Sequence, residues 1–385
     1  MQFRDLNRQY LKYKTQIDDA VHRVFEKTNF ISGHEVENIE KKLAEYAGVK
    51  HCISCANGTD AMVLVLTAWG ITKGDAVFVP NFTFFATCEV VATVGATPIF
   101  VDVLEDTFNI DPLDLESKIQ KVMNEGKLKP RVVIPVDLFG LLADYVSIKK
   151  IASKYNLLIL EDSAQAYGAE YDGRRACSFG DAATTSFFPA KPLGCYGDGG
   201  AIFTDSDELC ILLQSLRVHG KGEDKYDNVR IGFNSRLDTV QAAILNIKFD
   251  AFIGHELGDV NKIFKIYNEM LKDYVTVPNI PEGFLSTFAQ YTIKLNSKEQ
   301  RDGLKRYLSE KDIPSLIYYT KTMHKQKAFA YLNNVDIDYP HSTKLVDIVL
   351  SIPIHPYLTD DEINKVVTSI VEFMGNYYKG EYIKS

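Results

Sequence analysis

Between about residues 50 and 205, short β-rich runs alternate with helix-length segments, and this alternation constrains the fold more than any other feature of the chain. Strand-like HCISCA precedes helical TDAMVLVLTAWG, AVFVP precedes FFATCEVVATVG, and TPIFVDV precedes a segment opening at Asp111-Pro112. RVVIPVDLFG leads to helical SIKKIASKYN, and LLILEDSAQ follows. The strands are apolar almost throughout, as strands covered on both faces must be. An α/β fold with a mostly parallel sheet is predicted. Gly58, Gly74, Gly95 and Asn156 fall where helices should stop or turns should bend. ATTSFFPAKPLGCYGDGGAIFTDS reads differently, as two short strands joined by a glycine-rich connection.

A helix is expected at about 206–218 and another from Asp238. After roughly residue 250 helical NKIFKIYNEMLKD precedes strand-like AQYTIKLN, then helical QRDGLKRYLSEKD, strand-like LIYY and helical DDEINKVVTSIVEFMGNY. The 385 residues therefore divide into a large α/β domain at 1–250 and a smaller C-terminal α+β domain at 251–385. Residues 1–30 or so are a candidate to pack on the small domain.

Charge narrows the partners. Lys and Arg number 43 against 51 Asp and Glu, a net −8 with no long basic run, which argues against nucleic acid. The opening MQFRDLNRQYLKYK carries no apolar h-region, and stretches such as VVIPV and VLSIPI are too short to span a bilayer. A cytoplasmic protein without a membrane partner is expected. Cys52 and Cys55 form a CxxC, readable as a redox pair or half a zinc site. No second CxxC or His pair completes four ligands, so buried reduced thiols are the better reading and no metal is expected.

Ligands of parallel sheets bind beyond the carboxyl ends of the strands. Asp162, in Glu161-Asp162-Ser163-Ala164-Gln165, stands at such an end; it could bind metal, orient a base, pair with a ring nitrogen, or simply cap a helix. Lys191 sits in SFFPAKPLG among aromatics and prolines, where an amine loses solvation and can form a Schiff base with a carbonyl. A snorkelling surface lysine is the alternative. Lys191 and Asp162 together point to pyridoxal 5′-phosphate (PLP), the lysine holding the aldehyde and the acid keeping the pyridinium nitrogen protonated. Asn57-Gly58-Thr59-Asp60 lies between a strand and a helix, where free amides can meet a phosphate or merely mark a capped helix start. No G-x-G-x-x-G or Walker pattern is present.

CANGTDA, PNFTFFAT, EDSAQAYGA, TTSFFPAKPLGCYGDGGAIFTD, GFNSRLDTVQAAIL and SIPIHPYLT follow in order. Together they resemble the DegT/DnrJ/EryC1/StrS sugar aminotransferases over nearly the whole chain. The resemblance implies a fold type I PLP-dependent aminotransferase, a homodimer with shared active sites, and amination of a nucleotide-linked keto sugar, with glutamate as donor, for a surface polysaccharide or lipopolysaccharide. Within the family the likeness is greatest to enzymes that aminate UDP-2-acetamido-2-deoxy-3-oxo-glucuronate. By the same resemblance Lys191 bonds the cofactor and shuttles protons, Asp162 pairs with the ring nitrogen, Gln165 meets the phenolic oxygen and Phe84 stacks on the ring. Gly58, Thr59 and Ser186 hold the phosphate, joined by Asn234 of the other subunit, and Arg236 meets acidic groups of the sugar nucleotide. For Phe84 and Gln165 a core aromatic and a turn amide are the alternatives.

One region departs from the pattern. Relatives often carry a Tyr-Pro-x-Pro-Leu-type segment where this chain has Ile317-Tyr318-Tyr319-Thr320-Lys321-Thr322-Met323-His324. Tyr319 and His324 are candidate substrate contacts, with a packed tyrosine and a solvated histidine as alternatives. The departure leaves a 3-oxo-6-deoxy or 4-oxo sugar open. A PLP-dependent sugar dehydratase is disfavoured, because such relatives replace the lysine with histidine. A non-catalytic sugar-nucleotide binder or sensor would not need Lys191, Asp162 and Gln165 together.

Overall fold

The computed structural model describes residues 1–224 and 226–378. Strands β1 (His51–Cys55), β2 (Asp75–Pro80), β3 (Thr97–Val101), β4 (Lys129–Val133) and β5 (Leu158–Asp162) come first. A hairpin of two-residue strands, β6 (Glu170–Tyr171) and β7 (Arg174–Arg175), leads to β8 (Ala182–Ser186) and β9 (Gly200–Thr204). Seven of these form one sheet in the order β1-β9-β8-β5-β4-β2-β3. All neighbours pair parallel except those of β9, which runs against both β8 and β1. The expected mostly parallel sheet is present, and β9 is reversed because the glycine-rich connection from β8 returns directly.

Helices cover both faces. Along β2 the side chains alternate, Val77 and Val79 packing with α3 (Gly58–Ala68) and α4 (Phe85–Thr93), Ala76 and Phe78 with α5 (Pro112–Glu125) and α6 (Tyr145–Tyr155). Each apolar strand residue thus finds a core on its own side. The α5 start is fixed as its sequence predicts: Asp111 accepts the Leu113 amide at 2.8 Å, Pro112 fills the first turn, and Gly126 ends the helix at φ +63°. Such a cap contributes about 1 kcal/mol. Asn156 closes α6 in the same left-handed conformation, but Gly58 begins α3 and does not end a helix.

α7 (Asp207–Leu216) and α8 (Thr239–Ala251) follow β9. α8 does not stop at residue 250: a π-helical turn at Phe252–Glu256 carries it into α9 (Leu257–Leu271), so helix crosses the position expected to separate the domains. Past it lie β10 (Phe284–Leu285), β11 (Tyr291–Lys294), α10 (Lys298–Glu310), α11 (Pro340–Ile348), β12 (Val349–Ile352) and α12 (Asp360–Tyr378). β11 and β12 pair antiparallel, and Tyr267, Ile293, Leu304, Leu350, Ile370 and Phe373 form a second core around them. LIYY does not form the expected strand. Leu316 makes one bridge to Ser351, after which the chain turns away through a cis Tyr318-Tyr319 peptide.

Two helices precede β1, namely α1 (Leu6–Lys27) and α2 (His34–Ala47). Ala20 and Val24 of α1 pack on Ala243 of α8. The N-terminal turn instead reaches the second core: Arg8 donates to both carboxylate oxygens of Glu362 at 2.6 and 2.9 Å and to the Tyr357 carbonyl at 2.9 Å. All six cysteines are buried and free, as the reading of Cys52 and Cys55 as reduced thiols requires. Among the described residues no His/Cys/Asp/Glu cluster could hold a metal, and no helix is long and apolar enough to cross a membrane.

Candidate active site

The carboxyl ends of β1, β2, β5 and β8 lie along one edge of the sheet, and the predicted residues meet there. Asp162 is the last residue of β5 and 3% exposed. Its Oδ2 accepts the Thr87 hydroxyl at 2.8 Å and its Oδ1 the Ala164 amide at 3.2 Å. Burial pushes its carboxyl above the ordinary range, while Thr87, the Ala164 amide and the positive charge of Lys191 pull it back. Glu161, pointing to the other side of the strand, accepts the amides of Cys177, Phe179 and Gly180 and the Ser163 hydroxyl. Those bonds hold the turn on which Asp162 stands.

Lys191 is half-buried on the connection from β8 to β9, its amide donating to the Phe188 carbonyl at 2.8 Å. Burial lowers the affinity of its amine for a proton; Asp162 opposes this and Arg4 reinforces it. Its Nζ hydrogen-bonds nothing among the described residues. An amine with reduced basicity and no partner is available for bond formation.

An anion cradle adjoins the pair. Asn57 caps α3, its side chain accepting the Asp60 amide at 2.8 Å, which leaves the amides of Gly58 and Thr59 at the helix start without an intrahelical acceptor. Ser186, the last residue of β8, closes against them: a Cβ on Gly58 would stand 2.8 Å from Ser186 Cβ. A Cβ on Gly200 would stand 2.4 Å from the Asn57 carbonyl carbon. Only glycine at both positions lets the helix start and the two strands approach this closely.

Gln165 is held on three sides. Its Oε1 accepts the Phe139 amide at 2.6 Å, its Nε2 donates to Tyr319 Oη at 3.1 Å, and its carbonyl accepts the Thr287 hydroxyl at 2.7 Å. Phe84 precedes α4 with 57% of its surface exposed, too much for a core aromatic, and its ring lies 6.4 Å from that of Tyr319. Burial raises the Tyr319 phenol well above its ordinary value, so it stays protonated.

His324 is not brought to this cluster. It is buried, stacks on Tyr339 at 4.8 Å, and spends one ring nitrogen on Asn81 and the other on Asp336 at 2.7 Å. It is not a solvated histidine; with both ring nitrogens engaged it pins the 317–324 segment to the end of β2. Asn234 and Arg236 flank Ser235, whose hydroxyl donates to Asp60 at 2.7 Å and accepts the Ala56 amide at 3.1 Å. Asn234 is exposed and Arg236 half-buried, and neither side chain has a partner among the described residues. Sequence reasoning missed Thr87, Phe139 and Arg4. Thr87 stands three residues after Phe84, one helical turn on, and that spacing was the available signal.

These residues fit PLP: a cradle for phosphate, a carboxylate at a strand end for the ring nitrogen, an exposed aromatic for the ring face and a desolvated amine for the aldehyde. The fold and the site define a PLP-dependent enzyme of the aminotransferase type, with pyridoxal 5′-phosphate as cofactor. Residues 12–371 match the DegT/DnrJ/EryC1/StrS aminotransferase family, and the chain belongs to it. It is 40% identical to UDP-2-acetamido-2-deoxy-3-oxo-D-glucuronate aminotransferase of Pseudomonas aeruginosa, over 96% of this chain and 99% of that protein. It is 38% identical to dTDP-3-amino-3,6-dideoxy-alpha-D-galactopyranose transaminase of Aneurinibacillus thermoaerophilus, over 96% of this chain and 98% of that one. A crystal structure of a DegT DnrJ EryC1 StrS aminotransferase from Brucella abortus superposes with a TM-score of 0.94 at 48% identity, covering 97% of this chain and all (100%) of that one.

Proposed function

We propose that this chain transfers the amino group of glutamate to the C3 ketone of a UDP-linked 2-acetamido sugar, with the 3-oxo-glucuronate as preferred substrate, toward a surface polysaccharide or lipopolysaccharide. The observation that carries the transaminase reading is the desolvated, unpartnered Lys191 amine in the field of buried Asp162. The sugar is inferred from the relatives: the P. aeruginosa protein is named for a 3-oxo uronate and the A. thermoaerophilus protein for a 3-amino sugar.

When bound, PLP supplies a conjugated ring that accepts the electron pair released at the substrate carbon. Asp162, fixed by Thr87, would hold a proton on the ring nitrogen through the charge of its carboxylate. Gln165, its oxygen engaged by Phe139 and its Nε2 donating to Tyr319, would offer its second Nε2 hydrogen to the ring oxygen. Gly58 and Thr59 amides and Ser186 would hold the phosphate, and Phe84 would cover one ring face. With the cofactor bound, Lys191 Nζ would be the base that holds the proton removed from the substrate carbon. That exchange needs an amine that gives up its proton readily, and burial shifts Lys191 in that direction.

Asn234 and Arg236 act on a partner subunit's site in this reading. Their side chains lack partners within the chain, and the neighbouring hairpin exposes Ile231 at 92% and Val229 at 54%, apolar surface that a second copy would cover. Mixed dimers of Lys191→Ala and Arg236→Ala subunits should recover part of the activity that each variant lacks alone. Verified subunit exchange with no recovery would exclude the shared site.

The sugar is tested by kcat/KM on a panel of 3-oxo and 4-oxo nucleotide sugars with glutamate. The UDP-linked 3-oxo uronate is expected to lead. A guanidinium suits a carboxylate and a phosphate almost equally, so a faster neutral 3-oxo-6-deoxy or 4-oxo sugar would make Arg236 a phosphate contact and reject the uronate.

A further inference from the structure

The N-terminal segment reaches the active site from two directions. Arg4 Nη2 donates to the carbonyl of Pro192, the residue after Lys191, at 3.0 Å. The ring of Phe3 meets that of Tyr318 edge-on at 6.2 Å, and Tyr318 precedes the tyrosine that holds Gln165. Residues 3 and 4 therefore bridge the lysine connection and the 317–324 segment. The bridge is anchored behind by buried Asp5, which caps α1 on the Arg8 amide at 2.9 Å, and by the Arg8–Glu362 pair.

Arg4 is half-buried in this position, and its one hydrogen bond among the described residues uses one of five guanidinium donors. No carboxylate stands at ion-pair distance from it among those residues, whereas the other arginine of the segment, Arg8, is fully engaged with Glu362. Its field reaches Lys191, Lys248 and His355, which it makes less basic. Buried Glu256 acts on Arg4 through its field but not at ion-pair distance, so the donor fork beside the lysine connection has no direct anionic partner among the described residues.

We propose that Arg4 grips a carboxylate of a substrate bound at Lys191, and so determines which substrate is accepted in one half of the reaction. The carboxylate belongs to the amino-acid donor or to a uronate sugar, and the residue serves both by the same bidentate geometry. This rests on the transaminase reading above.

Arg4→Gln removes the charge and keeps an N–H for the Pro192 carbonyl. The two half-reactions are then run separately on holoenzyme, with glutamate, with the UDP-linked 3-oxo uronate and with its 6-deoxy counterpart. A loss in kcat/KM of about tenfold or more is expected for one carboxylate-bearing substrate, carried mainly by KM, with the 6-deoxy sugar within about twofold of wild type. Loss on glutamate alone names the donor, and loss on the uronate alone names the sugar. Equal losses on all three substrates, or none on any, would overturn the assignment and leave Arg4 a packing residue. Arg4→Lys, which keeps charge without the fork, should fall between the two proteins on the affected substrate, and it carries the test should Arg4→Gln not fold. The transaminase reading is judged separately, by wild-type turnover of the same substrates.

Discussion

Lys191→Ala is expected to lower turnover by at least about four orders of magnitude, because it removes both the bond-forming amine and the proton carrier. The fold should be untouched. Lys191 Nζ bonds no other side chain, and its backbone anchor to Phe188 survives truncation. Deleting a desolvated amine removes a cost of burial, so the cofactor-free variant should melt no lower than wild type. Burial brings the amine of Lys248 to a pKa of about 7, but it lies over the Tyr196 ring at 4.5 Å. It is not expected to substitute. Turnover within tenfold of wild type would end the aminotransferase reading.

Asp162→Asn is expected to cost about 10²- to 10³-fold in kcat, the scale for losing one preorganised electrostatic partner of the reacting system. The side chain keeps its shape, yet it no longer carries the charge that holds a proton on the ring nitrogen. One of its two donors, Thr87 or the Ala164 amide, would lose an acceptor, at about 1–3 kcal/mol. The loss should therefore fall on kcat in both half-reactions, with PLP affinity changed far less. If kcat were preserved and only PLP binding weakened, Asp162 would be a structural carboxylate. Its pH dependence has a defined sign. A carboxyl raised above its unfolded value favours the folded state most at low pH, and that contribution is lost as pH rises through the folded value. The cofactor-free wild type should accordingly lose stability with rising pH more steeply than Asp162→Asn.

The parallel sheet was legible because its strands are apolar on both faces, a pattern that Ala76-Val77-Phe78-Val79 states without reference to distant residues. Two candidate cofactor residues were legible for a similar reason: Asp162 and Gly58 stand at element ends, which local sequence marks, whereas Ser186 was reached through the family resemblance. What remained hidden depends on contacts between distant parts of the chain. LIYY has strand composition, but only Leu316 finds a partner before the chain departs. His324 looked available because nothing nearby in sequence shows Asn81, 243 residues away, taking its ring nitrogen. Arg4 looked like one of many N-terminal charges until Pro192 was found beside it. The continuity of helix through residue 250 was hidden in the same way, since the composition changes there while the backbone does not.

Borohydride reduction of PLP-loaded protein, followed by peptide mapping, tests the central claim most directly. The visible absorbance of the holoenzyme should bleach, and the reduced pyridoxyl group should be found on Lys191 alone. Prior addition of glutamate should move the cofactor off the lysine and abolish the label. A label on another lysine, or one on Lys191 that glutamate leaves unchanged, would contradict the account.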